Sequence, residues 1–370
     1  MPLPADTTSA LEERLRDASA VPRGMPASFY TDPAMVPIEV ERVFLGGWVC
    51  VGRADEVPRE GDYYTLEIVD EPLVVVRQAD ESVAVLSNVC RHRGSRILAG
   101  AGHASRLTCP YHRWSYALDG RLLAAPLVRG TAGFEADECR LPRFRTRTWM
   151  GWIFVNLDGK ADDLPAGMEG LDAYTRNYHA EEMRTIGVET ERWEVNWKCL
   201  AENFMEGYHL TPVHRTTLHP MTPTRLCEKI PGGPGYTGYK SHYDPAFTGR
   251  TQVHPDMTPE ERSQSMMVWI YPSFVAALSP NSSVYMSITP DGPMSLRTRW
   301  GVVARDEVFE SGEANERMAF ARAFNAEGRE RLLDVQKGLR SRFATRGVLA
   351  PPDHEGTVWD FYRYMAARLL

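Results

Sequence analysis

The chain runs to 370 residues, 43% hydrophobic and 25% charged, enough to bury one large core or two moderate ones, and two domains are expected. A formal charge of −7 argues against a nucleic-acid surface as the main business, and no run approaches the roughly eighteen consecutive apolar residues of a membrane span. Six cysteines do not make a disulfide scaffold at this length, and the polar, proline-rich opening has no basic region leading into an apolar one, so no secretory signal is inferred and a reducing cytoplasm is the expected setting.

In chain order, Leu11–Ala20 reads as a short helix, and Ile38–Leu45 has apolar residues at helical spacing that suit packing on a domain surface. From Trp48 the period changes. Trp48–Val51, Tyr63–Val69, Leu73–Arg77, Val83–Leu86, Arg106–Cys109 and Trp152–Asn156 are short β-rich runs separated by Gly, Pro or acidic residues, which predicts an all-β module. Charge, Gly and Pro gather at Asp158–Pro165, a linker signal. Beyond it Met168–Ala180 reads as helix, Arg184–Glu191 as strand, and Trp193–Tyr208 as a helix that Pro212 keeps from continuing. About fifty residues rich in Pro, Gly, Thr and His follow without a sustained period and predict an irregular excursion, suited to a lid or an oligomer contact. Strands return at Met266–Ile270, Val284–Ile288 and Leu296–Val303, then helices at Ala314–Phe324, Glu330–Phe343 and Thr357–Leu369. The expected fold class is α+β.

Two of the β-rich runs lead into metal-competent pairs. Cys90-Arg-His92 and, after sixteen residues, Cys109-Pro-Tyr-His112 offer a cysteine and a histidine twice. That pattern suits an iron–sulfur cluster in which one iron takes two thiolates and the other two imidazoles. Structural zinc is the alternative metal, but Cys-x-His beside Cys-x-x-His is a poor match to zinc units. Ordinary core residues are the weakest reading, since four such side chains are costly to leave unpaired in an interior. Cys50, Cys139, Cys199 and Cys227 lack matching partners and read as buried small hydrophobes.

A second constellation comprises Asn196-Trp197-Lys198, Glu202-Asn203-Phe204 and Glu206-Gly-Tyr-His209-Leu-Thr-Pro-Val-His214. With the cysteine–histidine pairs and Trp114-Ser-Tyr116, it resembles the α subunits of Rieske non-haem iron ring-hydroxylating oxygenases and related demethylases, from Ile38 to the end. The resemblance implies an N-terminal segment over residues 1–45 packed on the catalytic domain, a Rieske [2Fe-2S] domain over 46–158, and a catalytic domain over 159–370 with an antiparallel helix-grip-like sheet and C-terminal helices, usually as a homotrimer. It also implies that His209 and His214 hold a mononuclear Fe(II), since two imidazoles and a carboxylate leave positions open for oxygen. Five residues apart with Pro212 between them, the two need a local break in the helix to face one metal; a packed His209 and a solvated His214 is the bland alternative. Glu206 can share a helical face with His209, and the resemblance makes it the bridge to the Rieske histidines of the neighbouring subunit, with His112 as partner; a surface acid is the alternative. Asn203 reads as a donor near the iron or as a cap of backbone groups.

The third iron ligand departs from the family pattern. Members commonly carry an acidic-Asp pair shortly before Val-Gln-x-Gly-Leu, and Val335-Gln336-Lys337-Gly338-Leu339 counts back to Glu327-Gly328. Glu327 swings in on its longer stem, or an insertion brings Glu330 to the site, or the iron keeps two protein ligands and an extra open position that loosens it and can admit an anion. Glu327 is the expected ligand; Asp334 sits on the wrong turn.

Trp269, Tyr271, Phe274, Tyr285, Met286 and Trp300 can wall an aromatic ring or cage a quaternary ammonium, although a plain core suits most of them equally well. Arg225, Lys229 and His219 are candidates for a substrate carboxylate, with solvated surface charge the better reading for each alone. The resemblance leans toward homotrimeric branches acting on carnitine, betaine or choline-like amines and on substituted aromatic acids. It implies a terminal oxygenase fed by an external NAD(P)H-dependent reductase or ferredoxin, electrons passing from the Rieske cluster by His112 and Glu206 to the iron of an adjacent subunit, where O2 is used to hydroxylate or oxidatively demethylate a small substrate. No Gly-rich dinucleotide fingerprint follows a strand-to-helix signal, so no NAD(P)H or flavin site is expected in this chain. Two other classes stay open: a Rieske electron carrier, against which the His209/His214 pair speaks, and a repurposed binding protein without a competent mononuclear iron, which Gly328 favours.

Overall fold

The computed structural model describes residues 2–16, 21–128, 130–247 and 253–370. The chain divides into a unit of Cys50–Ala161 and a second made of Met1–Val49 with Asp162–Leu370.

The smaller unit is built from short strands. Val83–Ser87, Glu71–Arg77, Asp62–Ile68 and Ala101–His103 lie side by side in that order; Leu107–Thr108, Ser115–Tyr116 and Leu122–Ala124 form another sheet, and Trp152–Asn156 lies between Val49–Arg53 and Arg145–Trp149 in a third. Leu73 to Val76 are all fully buried, as expected of an apolar run in an inner strand. The core beneath holds Val74, Val76, Leu86, Ile97, Leu107 and Tyr116, and Cys90 and Cys109 belong to it.

In the larger unit α1 (Ala5–Arg16) stands where Leu11–Ala20 was predicted, with residues 17–20 outside the described ones. Seven strands follow: β1 (Arg184–Trp193), β2 (Cys227–Lys229), β3 (Tyr236–His242), β4 (Gln264–Ile270), β5 (Phe274–Leu278), β6 (Ser282–Pro290) and β7 (Leu296–Ala304). They form one antiparallel sheet in the order β1-β7-β6-β5-β4-β3-β2. The excursion therefore contains paired strands, whose signal Gly232, Gly233 and Pro234 interrupt; its residues 248–252 lie outside the described ones.

The helix predicted from Trp193 starts later, at α2 (Trp197–Phe204). Trp193 stays in the sheet opposite Leu296, and Asn196, in an extended conformation, caps the helix by accepting from Lys198 N–H at 3.0 Å. Lys198 is fully buried against Glu39, which also accepts from Trp197 Nε1–H at 2.7 Å. Removing either charge would strand the other in the interior. The two helices predicted around Gly328 are one, α4 (Ala314–Leu339), after the single turn α3 (Leu210–Val213). A mid-helix glycine costs only about 1 kcal/mol relative to alanine, and the inward row Met318, Ala321, Asn325, Gly328, Leu332 and Gln336 keeps helical period through it. The last helix, α5 (Pro352–Leu369), lies on the sheet, with Phe361 stacked on Trp269 at 4.3 Å and Tyr364 on Tyr271 at 4.4 Å. A sheet gripping a C-terminal helix, with an all-β unit inserted after residue 49, is the α+β class predicted. Among the described residues no helix is long and apolar enough to cross a membrane.

Candidate functional site

Two loops of the smaller unit close in the same way. Cys90 N–H donates to Ser95 O at 2.9 Å and Gly94 N–H to Cys90 O at 3.0 Å; Cys109 N–H donates to Trp114 O at 2.8 Å and Arg113 N–H to Cys109 O at 3.1 Å. In each loop the fourth residue after the cysteine is left-handed, Gly94 at φ 72° and Arg113 at φ 60°. Glycine adopts that conformation freely and arginine does not, so the second loop carries strain that the first avoids. The turns aim His92 N–H at the Cys90 sulfur, and Tyr111 and His112 N–H at that of Cys109.

The sulfurs are buried and the imidazoles lie outward, His92 exposed and His112 half-buried. The two rings stand 4.7 Å apart at 72°, and His92 is stacked on Trp114 at 4.8 Å. Tyr116 accepts from Arg91 N–H at 3.0 Å and lies 3.3 Å from Cys90 Sγ, to which its hydroxyl can donate. Burial pushes the Cys90 thiol up; at Cys109 burial is outweighed by the two backbone N–H groups together with hydrogen bonds from Cys90 and Ser95, and the thiol falls below its ordinary value. Two thiols and two imidazoles on paired loops, with N–H donors at the sulfurs, fit the donor set of a Rieske cluster.

In the larger unit, α3 is a single turn in which Val213 N–H reaches His209 O at 3.0 Å and His214 N–H reaches Leu210 O at 3.1 Å. Pro212 fits because first-turn N–H groups have no partner within a helix. The turn brings the His209 and His214 rings to 5.1 Å at 69°. Each Nδ1 faces a carboxylate: Glu206 Oε1 lies 2.6 Å from His209 Nδ1, and Glu327 Oε2 lies 2.8 Å from His214 Nδ1. Glu206 also accepts from His209 N–H at 3.0 Å, which locks the acid under its own turn. Glu327 accepts from Thr217 at 2.5 Å and Thr216 at 3.2 Å; burial opposes its charge, but these hydroxyls and His214 outweigh it and hold the carboxyl below its ordinary value. Burial lowers the His214 pKa despite Glu327, favouring the neutral ring that a metal needs. With His214 Nδ1 bonded to Glu327 and His209 Nδ1 facing Glu206, the nitrogens open to a shared ion are the two Nε2.

Both rings line a cavity of about 350 Å³. Asn203 and Gly328 line it too, and a Cβ built on Gly328 would sit 3.6 Å from Asn203 Oδ1 and 3.8 Å from His214 Cε1. Glu327, the expected third ligand, instead orients His214. Glu330 pairs with Arg331 and is 73% exposed, and Asp334 pairs with Lys337; neither lines the cavity.

Of the six aromatic-wall candidates, Met286 alone lines the cavity. Trp269 and Tyr271 pack on α5, Trp300 donates to Glu191 at 2.8 Å, and Phe274 and Tyr285 face each other at 6.3 Å. The walls include Trp193, Phe204, Tyr239, Phe320 and Phe324. The proposed carboxylate binders are also engaged elsewhere: Arg225 with Asp244, Lys229 with Asp360, His219 with Thr211. Arg317 is the basic side chain of the lining other than histidine. Phe320, Phe324 and Gly328 recur every four residues, a signal that one helix face serves the cavity.

Residues 171–370 match the family model of the ring hydroxylating alpha subunit (catalytic domain), and residues 47–135 match that of the Rieske [2Fe-2S] domain. Over 193 residues the chain is 36% identical to the carnitine monooxygenase oxygenase subunit of Escherichia coli (strain K12), which covers 51% of this chain and 52% of that one. Over 212 residues it is 35% identical to the glycine betaine monooxygenase oxygenase subunit of Pseudomonas aeruginosa (strain UCBPP-PA14), covering 57% and 48%. The chain thus spans about half the length of these curated relatives. Its fold matches naphthalene 1,2-dioxygenase from Rhodococcus sp. bound to indole with a TM-score of 0.85, at 22% identity, over 100% of this chain and 99% of the other. With a Rieske model matched ahead of a catalytic-domain model that covers more than half of the chain, the chain belongs to the ring-hydroxylating alpha subunit family.

Proposed function

We propose that this chain is a terminal oxygenase component: it takes electrons from a separate NAD(P)H-dependent reductase or ferredoxin and uses O2 to hydroxylate or oxidatively demethylate a small substrate. Quaternary amines and substituted aromatic acids are the substrate classes, in keeping with the carnitine and glycine betaine relatives and the aromatic cavity. The observation that carries the reading is the His209/His214 pair at the wall of the cavity, each Nδ1 facing a glutamate carboxylate that lies outside that wall. When bound, a Rieske cluster supplies single electrons and a mononuclear iron supplies oxygen activation. Cys90 and Cys109 hold one iron of the cluster, His92 and His112 the other, and His209 and His214 hold the mononuclear ion. Glu206 orients His209 and, in a homotrimer, connects it to the partner subunit's His112. Asn203 offers a hydrogen bond beside the bound substrate, and Phe204, Phe320 and Phe324 exclude water from it.

Low-temperature EPR of the anaerobically purified, dithionite-reduced protein tests this, with nitric oxide as a probe of the second iron. A Rieske signal together with a high-spin iron–nitrosyl signal is expected, the latter lost in His209→Ala and His214→Ala while the former persists. A Rieske signal alone after iron reconstitution would replace this reading with an electron carrier or binding protein.

A further inference from the structure

We propose that the metal of the His209/His214 site takes a carboxylate from outside the chain as a ligand, seated in the space left by Gly328. This rests on the reading of those histidines as metal ligands.

Two imidazoles leave a divalent ion short of ligands, and hard oxygen donors suit iron in such a set. Among the described residues no Asp or Glu lines the cavity to supply one. Glu206 and Glu327 lie at the Nδ1 atoms and balance charge from behind the rings, where they do not reach the coordinating face. Gly328 is buried on the inward row of α4, and the contacts of a Cβ there, 3.6 and 3.8 Å, are ordinary van der Waals distances. A small group beside His214 therefore meets no clash.

The surroundings suit an anion. Arg317, three turns before Gly328 on α4, also lines the cavity; its guanidinium pairs with Glu313, and its Nε is buried without a hydrogen-bond partner among the described residues. Asn325, 7% exposed and one turn before Gly328, also lines the cavity, and its Nδ2 is likewise unpartnered. Unpaired buried donors are unfavourable, and a modest local shift would let Asn325 Nδ2 reach a carboxylate beside Gly328. Among apolar walls, attraction between a divalent ion and an anion exceeds that in water. The carboxylate comes with the substrate or as a free small anion; the coordination chemistry is the same.

The test uses the full chain with its cluster oxidised, and so EPR-silent, and with Co(II) at the two histidines. Acetate and benzoate are each expected to change the high-spin Co(II) spectrum and to tighten Co(II) binding by about tenfold, the coupling being reciprocal. Gly328→Asp is expected to bind Co(II) tightly without added anion and to lose the response. Gly328→Ala, a smaller change, is expected to keep Co(II) and weaken the response to acetate. Benzoate acting at far lower concentration than acetate assigns the carboxylate to the substrate, and equal potency assigns it to a free anion; both support the proposal. Co(II) that binds, is lost in His209→Ala and ignores both anions overturns the proposal alone. Co(II) binding that survives both His209→Ala and His214→Ala overturns the underlying reading as well.

Discussion

Glu327 Oε2 lies 2.8 Å from His214 Nδ1, so the acid that sequence spacing offers as an iron ligand is instead the hydrogen-bond partner of a histidine. Thr216 and Thr217 hold its oxygens and keep it charged. A supporting carboxylate of this kind fixes the ring's tautomer and raises its basicity; its removal weakens metal binding by about 10–100-fold. Glu327→Ala is expected to show that partial loss in a Co(II) titration. Glu327→Gln should recover part of it, because an amide oxygen still accepts from Nδ1–H. Loss as complete as in His214→Ala would make Glu327 a direct ligand.

Glu206 accepts from the backbone N–H of His209 and sets its other oxygen 2.6 Å from Nδ1 of the same residue. Glu206→Gln keeps an oxygen for one of those contacts but removes the charge. Both metals are expected to stay bound, while reoxidation of the reduced cluster in stopped-flow mixing with O2 and substrate slows by a factor on the order of ten or more. Unchanged reoxidation and turnover would remove Glu206 from the path.

What the sequence makes legible here is what is local. Cys90 with His92 and Cys109 with His112 lie within single turns, so their spacing already constrains the loops that carry them. The same holds for His209 and His214 across α3. The cavity wall is different, because Trp193 ends a strand, Phe204 ends a helix, and Phe320 and Phe324 come from another helix far along the chain. Periodicity marks a face as buried without telling which buried face encloses a void: Trp269 and Tyr271 carry the same signal as the cavity wall, yet α5 covers them. The same holds for Glu327: its spacing places it near the site, but its direction is set by Thr216 and Thr217, far earlier in the chain.

Tyr116 is fully buried, and its hydroxyl stands 3.3 Å from Cys90 Sγ. Hydrogen bonds to cluster sulfurs raise the reduction potential by favouring the more negative reduced state. Tyr116→Phe removes this donor and leaves the ring in the core. Its cluster is expected to assemble normally and to titrate at a lower potential in an EPR-monitored redox titration. An unchanged potential would mean that the hydroxyl serves Arg91 N–H alone.

Glu202, in α2, is enclosed by two tyrosines: Tyr30 donates to Oε1 at 3.0 Å and Tyr362 to Oε2 at 3.3 Å. Burial pushes its pKa from the usual 4.5 up to about 8, with the tyrosine hydrogen bonds and Lys198 resisting only in part. The folded state therefore holds this proton more tightly than the unfolded one, and stability from the group is complete below pH 4.5 and lost as pH rises through about 8. Glu202→Gln keeps an acceptor for Tyr30 and has no proton to lose. Melting temperatures of the two proteins should be similar near the acid end of the window, and the variant should gain on the wild type by several degrees as pH approaches 9, on the scale of about one kcal/mol per few degrees. Parallel melting curves across that range would show that the Glu202 carboxyl is already ionised in the folded protein at neutral pH.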